Sequence, residues 1–183
     1  MSAPLISRAV NRVLQAIALN PERYFFQREL SRITGERYNG VLQALDRLVK
    51  EGVVETARVG DKPAFRANTG NPYLPEFQRI AIRSLGIPET LDDAGIVASK
   101  VIIHGSFAKG TATQGSDLDV LIVGREPRLG AAESALSGIA KFIGREISVK
   151  VYGHARYQKD LTDGASFIAA VANGQTINLR GTL

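Results

Sequence analysis

Through the first fifty residues, apolar positions recur every three or four residues. "LISRAVNRVLQAIALN" places Ile6, Ala9, Val10, Val13, Leu14 and Ile17 on one side, and Pro21 stops the pattern. "FFQRELSRITG" repeats it with Phe26, Leu30 and Ile33 inward and Gly35 closing. "RYNGVLQALDRLVKEG" turns Val41, Leu45, Leu48 and Val49 inward and Asn39, Gln43, Asp46, Arg47 and Lys50 outward, with Gly52 as terminator. The period then drops to two. "VVETARV" and "KPAFRAN" read as short strands joined at Gly60-Asp61, a hairpin turn. Pro72 and Pro75 mark a boundary, after which Leu74, Phe77, Ile80, Ala81 and Leu85 predict a connecting helix. That helix would pack on the preceding elements or on a second copy of itself. Another helix begins near Pro88. Strands and helices then alternate: a strand over 100–104, a strand over 118–123, a helix over 131–143 and a strand over 147–152. "RYQKDL" and "ASFIAAVANG" predict two closing helices.

Three helices followed by a hairpin is the element order of a winged helix-turn-helix. The pattern therefore predicts two domains. Residues 1–70 form a mainly-α winged helix-turn-helix, residues 71–86 a linking helix, and residues 87–183 an α/β (α+β) domain. No internal repeat or low-complexity segment interrupts this order.

Composition narrows the class. Of 183 residues, 44% are hydrophobic and 22% charged, which is globular rather than disordered. No apolar run reaches the roughly 20 residues a membrane span needs. The opening stretch carries Arg8 and no cleavage-site pattern, so it does not read as a signal peptide. The absence of cysteine excludes disulfides, thiolate metal sites and cysteine nucleophiles, and fits a cytoplasmic location. The net charge of +5 is unevenly placed: residues 1–70 hold 11 Lys and Arg against 7 Asp and Glu, the remainder 12 against 11. The basic excess thus coincides with the predicted helix-turn-helix, which points to double-stranded DNA as a partner. On the third helix, Arg37, Tyr38, Asn39 and Gln43 would reach base edges and Arg47 a phosphate. Arg58, Lys62 and Arg66 on the hairpin would meet the backbone, while Asp46 and Asp61 weaken the patch. A homodimer on a palindromic site is the natural arrangement for so small a reader.

The second half carries a different chemistry in "HGSFAKGTATQGSDLDV". A strand ending in Gly105-Ser106 before a helix offers backbone N–H groups and a hydroxyl to phosphates. Lys109, in the same loop, is a point charge within reach. Asp117 and Asp119 alternate, so they share a face of the next strand. Two carboxylates so placed repel unless a cation separates them, and hard oxygen ligands select Mg²⁺ or Mn²⁺. A divalent ion beside an anion cradle is the core of phosphoryl-transfer chemistry with a nucleoside triphosphate.

Gly105, Ser106, Ala108, Gly110, Ser116, Asp117 and Asp119, at this spacing, resemble the motif of minimal nucleotidyltransferases of the DNA polymerase beta superfamily. With the basic front domain, the joint "RANTGNPYLPEF" and "GREISVKVY" near the end, the chain looks like a bacterial and archaeal family that fuses a winged domain to such a nucleotidyltransferase. The resemblance implies a nucleotidyltransferase fold with a small mixed sheet, and places Ser116 at the nucleotide. It also implies a predicted regulator, or an antitoxin that modifies a partner toxin. The superfamily has a third carboxylate on the following strand, and the resemblance puts Ser148 at that position in this chain. Lys150 shares that face and brings positive charge toward the phosphates. Glu146 shares it too, ~7 Å along the strand, and is the candidate catalytic substitute for the missing carboxylate through a bulge or shifted register. Three readings stay open. The domain binds Mg²⁺–NTP with slow or no transfer, within a DNA-binding regulator. It is a working enzyme that transfers a nucleotide to a protein or small-molecule hydroxyl. Or it is a non-catalytic interaction protein.

Overall fold

The structure is a computed structural model, and it describes residues 7–125, 128–164 and 166–182. Contacts divide the chain into two compact units. The first comprises Met1–Leu85 with Phe142–Gly144, the second Gly86–Lys141 with Arg145–Leu183.

The first unit contains helices α1 (Arg8–Ala18), α2 (Gln27–Thr34) and α3 (Tyr38–Lys50), strands β1 (Val54–Val59) and β2 (Lys62–Ala67), and helix α4 (Leu74–Arg83). Its core is the apolar stripe of each helix: Val13, Leu14 and Ile17 from α1, Leu30 from α2, and Val41, Leu45 and Leu48 from α3 are buried. Side-chain oxygens cap the first two helices. Ser7 Oγ accepts the Val10 N–H, and Glu29 Oε2 accepts the Phe26 N–H at 3.3 Å. β1 and β2 form an antiparallel hairpin with Val59 opposite Lys62. Gly60 takes φ 59° and Asp61 does not enter the left-handed region, the pattern of a type II′ turn led by glycine. Phe25 and Phe65 exchange both backbone hydrogen bonds, adding a bridge on the far side of β2.

One expectation needs correction here. Ile80, read as inward, is 38% exposed, whereas Ile82 is fully buried. The reason is that α4 packs on α1 through amides as well as apolar groups. Gln78 Nε2 donates to the Ala18 carbonyl at 3.0 Å, and Gln15 Nε2 donates to the Ser84 carbonyl at 2.7 Å. The buried stripe is rotated toward Gln78, which a hydrophobic count scores as polar.

The second unit contains α5 (Ile87–Asp93), β3 (Ala98–His104), α6 (Gly105–Lys109), β4 (Leu118–Gly124), α7 (Leu129–Ile143), β5 (Ile147–Gly153), α8 (His154–Thr162), α9 (Phe167–Ala172) and β6 (Ile177–Arg180). The four strands form one mixed sheet in the order β5-β4-β3-β6. β3 is antiparallel to both neighbours, and β4 runs parallel to β5 across the α7 crossover. One face of the sheet, through Ile102, Leu121, Val123 and Tyr152, is covered by Tyr157 from α8 and Ile168 and Val171 from α9. The edge strand β6 was not expected. Arg180 fastens it by a bidentate ion pair to Asp92 on α5. The helix expected after the strand is a single turn of five residues that begins at Gly105.

Candidate active site

The candidate site lies where β3 and β4 meet at one end of the sheet. In the antiparallel pairing His104 stands directly opposite Asp119, and in the parallel pairing Asp119 stands opposite Ser148. Directly paired residues point to the same face, so these three side chains are neighbours. Lys150, two residues on from Ser148, shares the face.

Gly105 follows His104 with φ 71°. A Cβ added there would lie 2.0 Å from Asp119 Oδ2 and 3.0 Å from its Cγ. The Asp119 carboxylate therefore occupies the space that any other residue's side chain would take. Glycine supplies both the left-handed backbone and the room. Ser106 is half-buried in the following turn, whose chain is held by the Thr111 N–H donating to the Ser106 carbonyl at 2.9 Å. Lys109 is exposed at the end of that turn.

Asp117 is exposed immediately before β4, and Asp119 is half-buried one residue inside it. Glu146 is exposed just before β5, its carbonyl accepting the Leu118 N–H at 3.0 Å. Among the described residues, no three His, Cys, Asp or Glu side chains converge as a metal site. The structure therefore does not gather Glu146 or His104 into one ligand set with both aspartates. Two hard carboxylates still suit a divalent ion that takes its other ligands from phosphate oxygens and water. The Asp119 carboxylate, seated against Gly105, fits that role.

Ser116 is engaged locally. Its Oγ accepts the Thr113 N–H at 2.9 Å and lies 3.4 Å from Thr113 Oγ1. Lys150 Nζ sits over the Phe167 ring, 3.8 Å from its centroid. The same ring meets His104 edge-on at 5.3 Å and stacks on Tyr152 at 6.3 Å. Phe167 thus walls the site, which the sequence did not suggest. Its segment reads in the sequence only as a closing helix. Arg145 was also missed: it is 8% exposed and bonded to the loop before Asp117.

Burial pushes the His104 imidazole below its ordinary value of 6.5, Asp119 opposes this and Lys150 adds to it. Its Nε2 has no hydrogen-bond partner. The linkage has a definite sign. The unfolded chain binds this proton more tightly, so the contribution to stability is present above the ordinary value and is lost as pH falls through the folded one. Thermal unfolding of the wild type should become acid-sensitive below about pH 6.5, and His104→Gln should blunt that sensitivity. Equal acid sensitivity in both proteins would refute a buried neutral imidazole.

In the first unit, Arg37, Tyr38, Asn39 and Gln43 are exposed and line one cleft together with Arg8 and Glu36. Tyr38 Oη donates to Gln27 Oε1 at 2.8 Å and also faces a second cleft with Arg28, Lys62 and Pro63. Arg47 and Arg58 are exposed, and Arg58 Nη2 reaches the Asp61 carbonyl at 3.4 Å. Arg66 is engaged instead by Glu55 at 2.5 Å and by Tyr24 Oη at 3.0 Å. Gln27 and Arg28 escaped the sequence reading because α2 was read only for its apolar stripe.

No helix among the described residues is long and apolar enough to cross a membrane. The chain matches no curated protein. One solved structure, described as a candidate nucleotidyltransferase from Sulfolobus solfataricus, is 20% identical, covering 50% of this chain and 84% of its own, with a TM-score of 0.32. At that score the likeness carries no weight on fold or function. Residues 88–166, which hold Gly105, Ser106, Asp117 and Asp119, match the nucleotidyltransferase domain family, so this stretch of the second unit is similar to a nucleotidyltransferase domain.

Proposed function

We propose that the second unit binds a nucleoside triphosphate together with Mg²⁺ or Mn²⁺. Gly105 and Ser106 take the phosphates, Asp117 and Asp119 hold the cation, and Lys109 and Lys150 supply further positive charge. The observation that carries this reading is the interlock of Gly105 with the Asp119 carboxylate, which sets a phosphate approach and a cation ligand side by side. α6 is too short to contribute a helix dipole, so the turn's own N–H groups and the Ser106 hydroxyl carry the phosphate contacts.

The cation would neutralise the phosphates and polarise the α-phosphorus. Transfer would form a bond from an acceptor hydroxyl to that phosphorus and break its bond to pyrophosphate, the hydroxyl proton leaving to solvent. Ser148, opposite Asp119, offers a hydroxyl where a further carboxylate would hold a second ion. Binding with slow or absent transfer is therefore the primary reading. Calorimetry with Mg²⁺ and each of ATP, GTP, CTP and UTP tests it. Saturable binding is expected, and no binding of any of the four sinks the proposal. Labelled nucleotide with a cell extract separates transfer from binding. Label on an acceptor that disappears in Asp117→Asn would establish an enzyme, including one acting on a toxin.

We also infer that the first unit docks on double-stranded DNA. One observation favours it. α3 buries Val41, Ala44, Leu45 and Leu48 and leaves Asn39, Gln43 and Arg47 exposed, with Arg28, Arg37 and Lys62 around the two clefts that meet at Tyr38. In this reading the three helices and hairpin act as a winged helix-turn-helix, and the protein is a regulator that binds as a homodimer. Retardation of the gene's own upstream DNA should weaken steeply as salt rises. Gln43→Ala should cost about 1–3 kcal/mol at one base position, while Lys62→Ala weakens all sequences alike. Equal affinity for upstream and random DNA would sink sequence-specific regulation.

A further inference from the structure

Arg145 is a charged side chain in the interior of the second unit, only 8% exposed. Its Nη1 donates to three carbonyls of one loop: Thr113 at 2.9 Å, Gln114 at 3.1 Å and Ser116 at 2.5 Å. Its guanidinium lies over the Phe107 ring, 5.1 Å from the centroid. Phe107 is itself buried in the turn that follows Gly105. Arg145 therefore touches both halves of the candidate site from beneath. It meets the turn carrying Ser106 on one side and the loop that delivers Asp117 on the other. The next residue, Glu146, continues the tie by accepting the Leu118 N–H through its carbonyl at 3.0 Å.

A loop of this kind has few other means of staying still. Within it, the Ser116 N–H donates to the Thr113 carbonyl at 3.1 Å and the Thr113 N–H to Ser116 Oγ at 2.9 Å, closing one tight turn. That turn fixes its own shape but not its position over the sheet. The three carbonyl bonds to Arg145 do that. Charge-assisted bonds from a buried cation are stronger than neutral ones, and breaking them leaves polar groups uncompensated.

We propose that Arg145 is a positioning residue: it fixes the loop over 113–116 so that Asp117 is delivered beside Asp119 before any cation or nucleotide arrives. The inference rests on the nucleotide–cation reading of this site. It predicts that cation affinity depends on a residue that touches neither cation nor nucleotide.

The test uses the full chain, with Mn²⁺ followed by electron paramagnetic resonance in the presence of ATP, GTP, CTP or UTP. Arg145→Met is expected to bind Mn²⁺ about tenfold or more weakly, the usual effect of removing a group that orients a ligand. Hydrogen exchange over residues 113–118 should accelerate while β3 stays protected. Wild-type Mn²⁺ affinity in a folded Arg145→Met protein overturns the proposal. Should that variant fail to fold, Arg145→Lys is read the same way, since its buried ammonium keeps the charge but has a shorter reach. If the wild type binds Mn²⁺ with none of the four nucleotides, the nucleotide reading falls. Hydrogen exchange in Arg145→Lys then decides the role of Arg145 alone: faster exchange over 113–118 supports it, and unchanged exchange overturns it.

Discussion

Gly105→Ala is expected to abolish nucleotide binding while leaving most of the molecule folded. Two costs fall on one atom. An L-residue at φ 71° pays about 1–2 kcal/mol in backbone strain. The added Cβ would also meet Asp119 Oδ2 at 2.0 Å, a distance no real Cβ contact reaches. The backbone cannot yield easily, because Asp119 is paired on both sides, to His104 on β3 and to Ser148 on β5. The carboxylate must therefore swing away, which displaces the cation ligand and the phosphate approach together. A loss beyond about 100-fold in cation–nucleotide affinity should be read by calorimetry, since removal of one well-placed group already costs that order. Stability should fall by about 1–3 kcal/mol in thermal unfolding. Gly138→Ala is the control: on the exposed face of α7 nothing stands within 4 Å of the added Cβ, and stability should rise by up to about 1 kcal/mol. Wild-type affinity in Gly105→Ala would show that the interlock has no part in binding.

Much of this architecture was legible in the residues because burial is strongly one-sided. The stripes of α1 and α3 and the two-faced apolar runs of β3 and β4 leave little choice of element or period. What escaped has a common cause: its status is decided by a partner distant in sequence. "INLR" is too short to declare a strand, and becomes β6 only because the edge of β3 is open to it. Gln78 and Gln15 look like surface residues until the carbonyls of Ala18 and Ser84 face them. Arg145, next to Gly144 and Glu146, looks like a solvated charge until the loop over 113–116 closes on it. The site divides in the same way. Gly105, Ser106, Asp117 and Asp119 stand out as candidates from spacing, because close backbone approach and paired carboxylates leave a local signature. The direct contact between Gly105 and Asp119, and the Phe167 wall against Lys150 and His104, required the register of the sheet.

Asp119→Asn and Asp117→Asn should both weaken cation–nucleotide affinity by about 100-fold, yet they should differ at a residue that neither replaces. The asparagine at 119 keeps the shape that fits against Gly105, so folding should be nearly unchanged. What it removes is negative charge directly opposite His104. Asp119 is the group that raises the His104 pKa against burial and Lys150, whereas Asp117 lies exposed before the strand that pairs with His104. The imidazole in Asp119→Asn should therefore titrate at lower pH than in the wild type, and in Asp117→Asn at the wild-type position. The chain has two histidines, and His154 lies exposed in α8, so a His154→Gln background leaves a single imidazole to follow by nuclear magnetic resonance. Loss of binding in both variants, with a downward shift in one alone, would place Asp119 at the junction of cation, glycine turn and histidine. If His104 titrates alike in all three proteins, the Asp119 carboxylate does not face it, and the side-by-side arrangement proposed for phosphate and cation loses its footing.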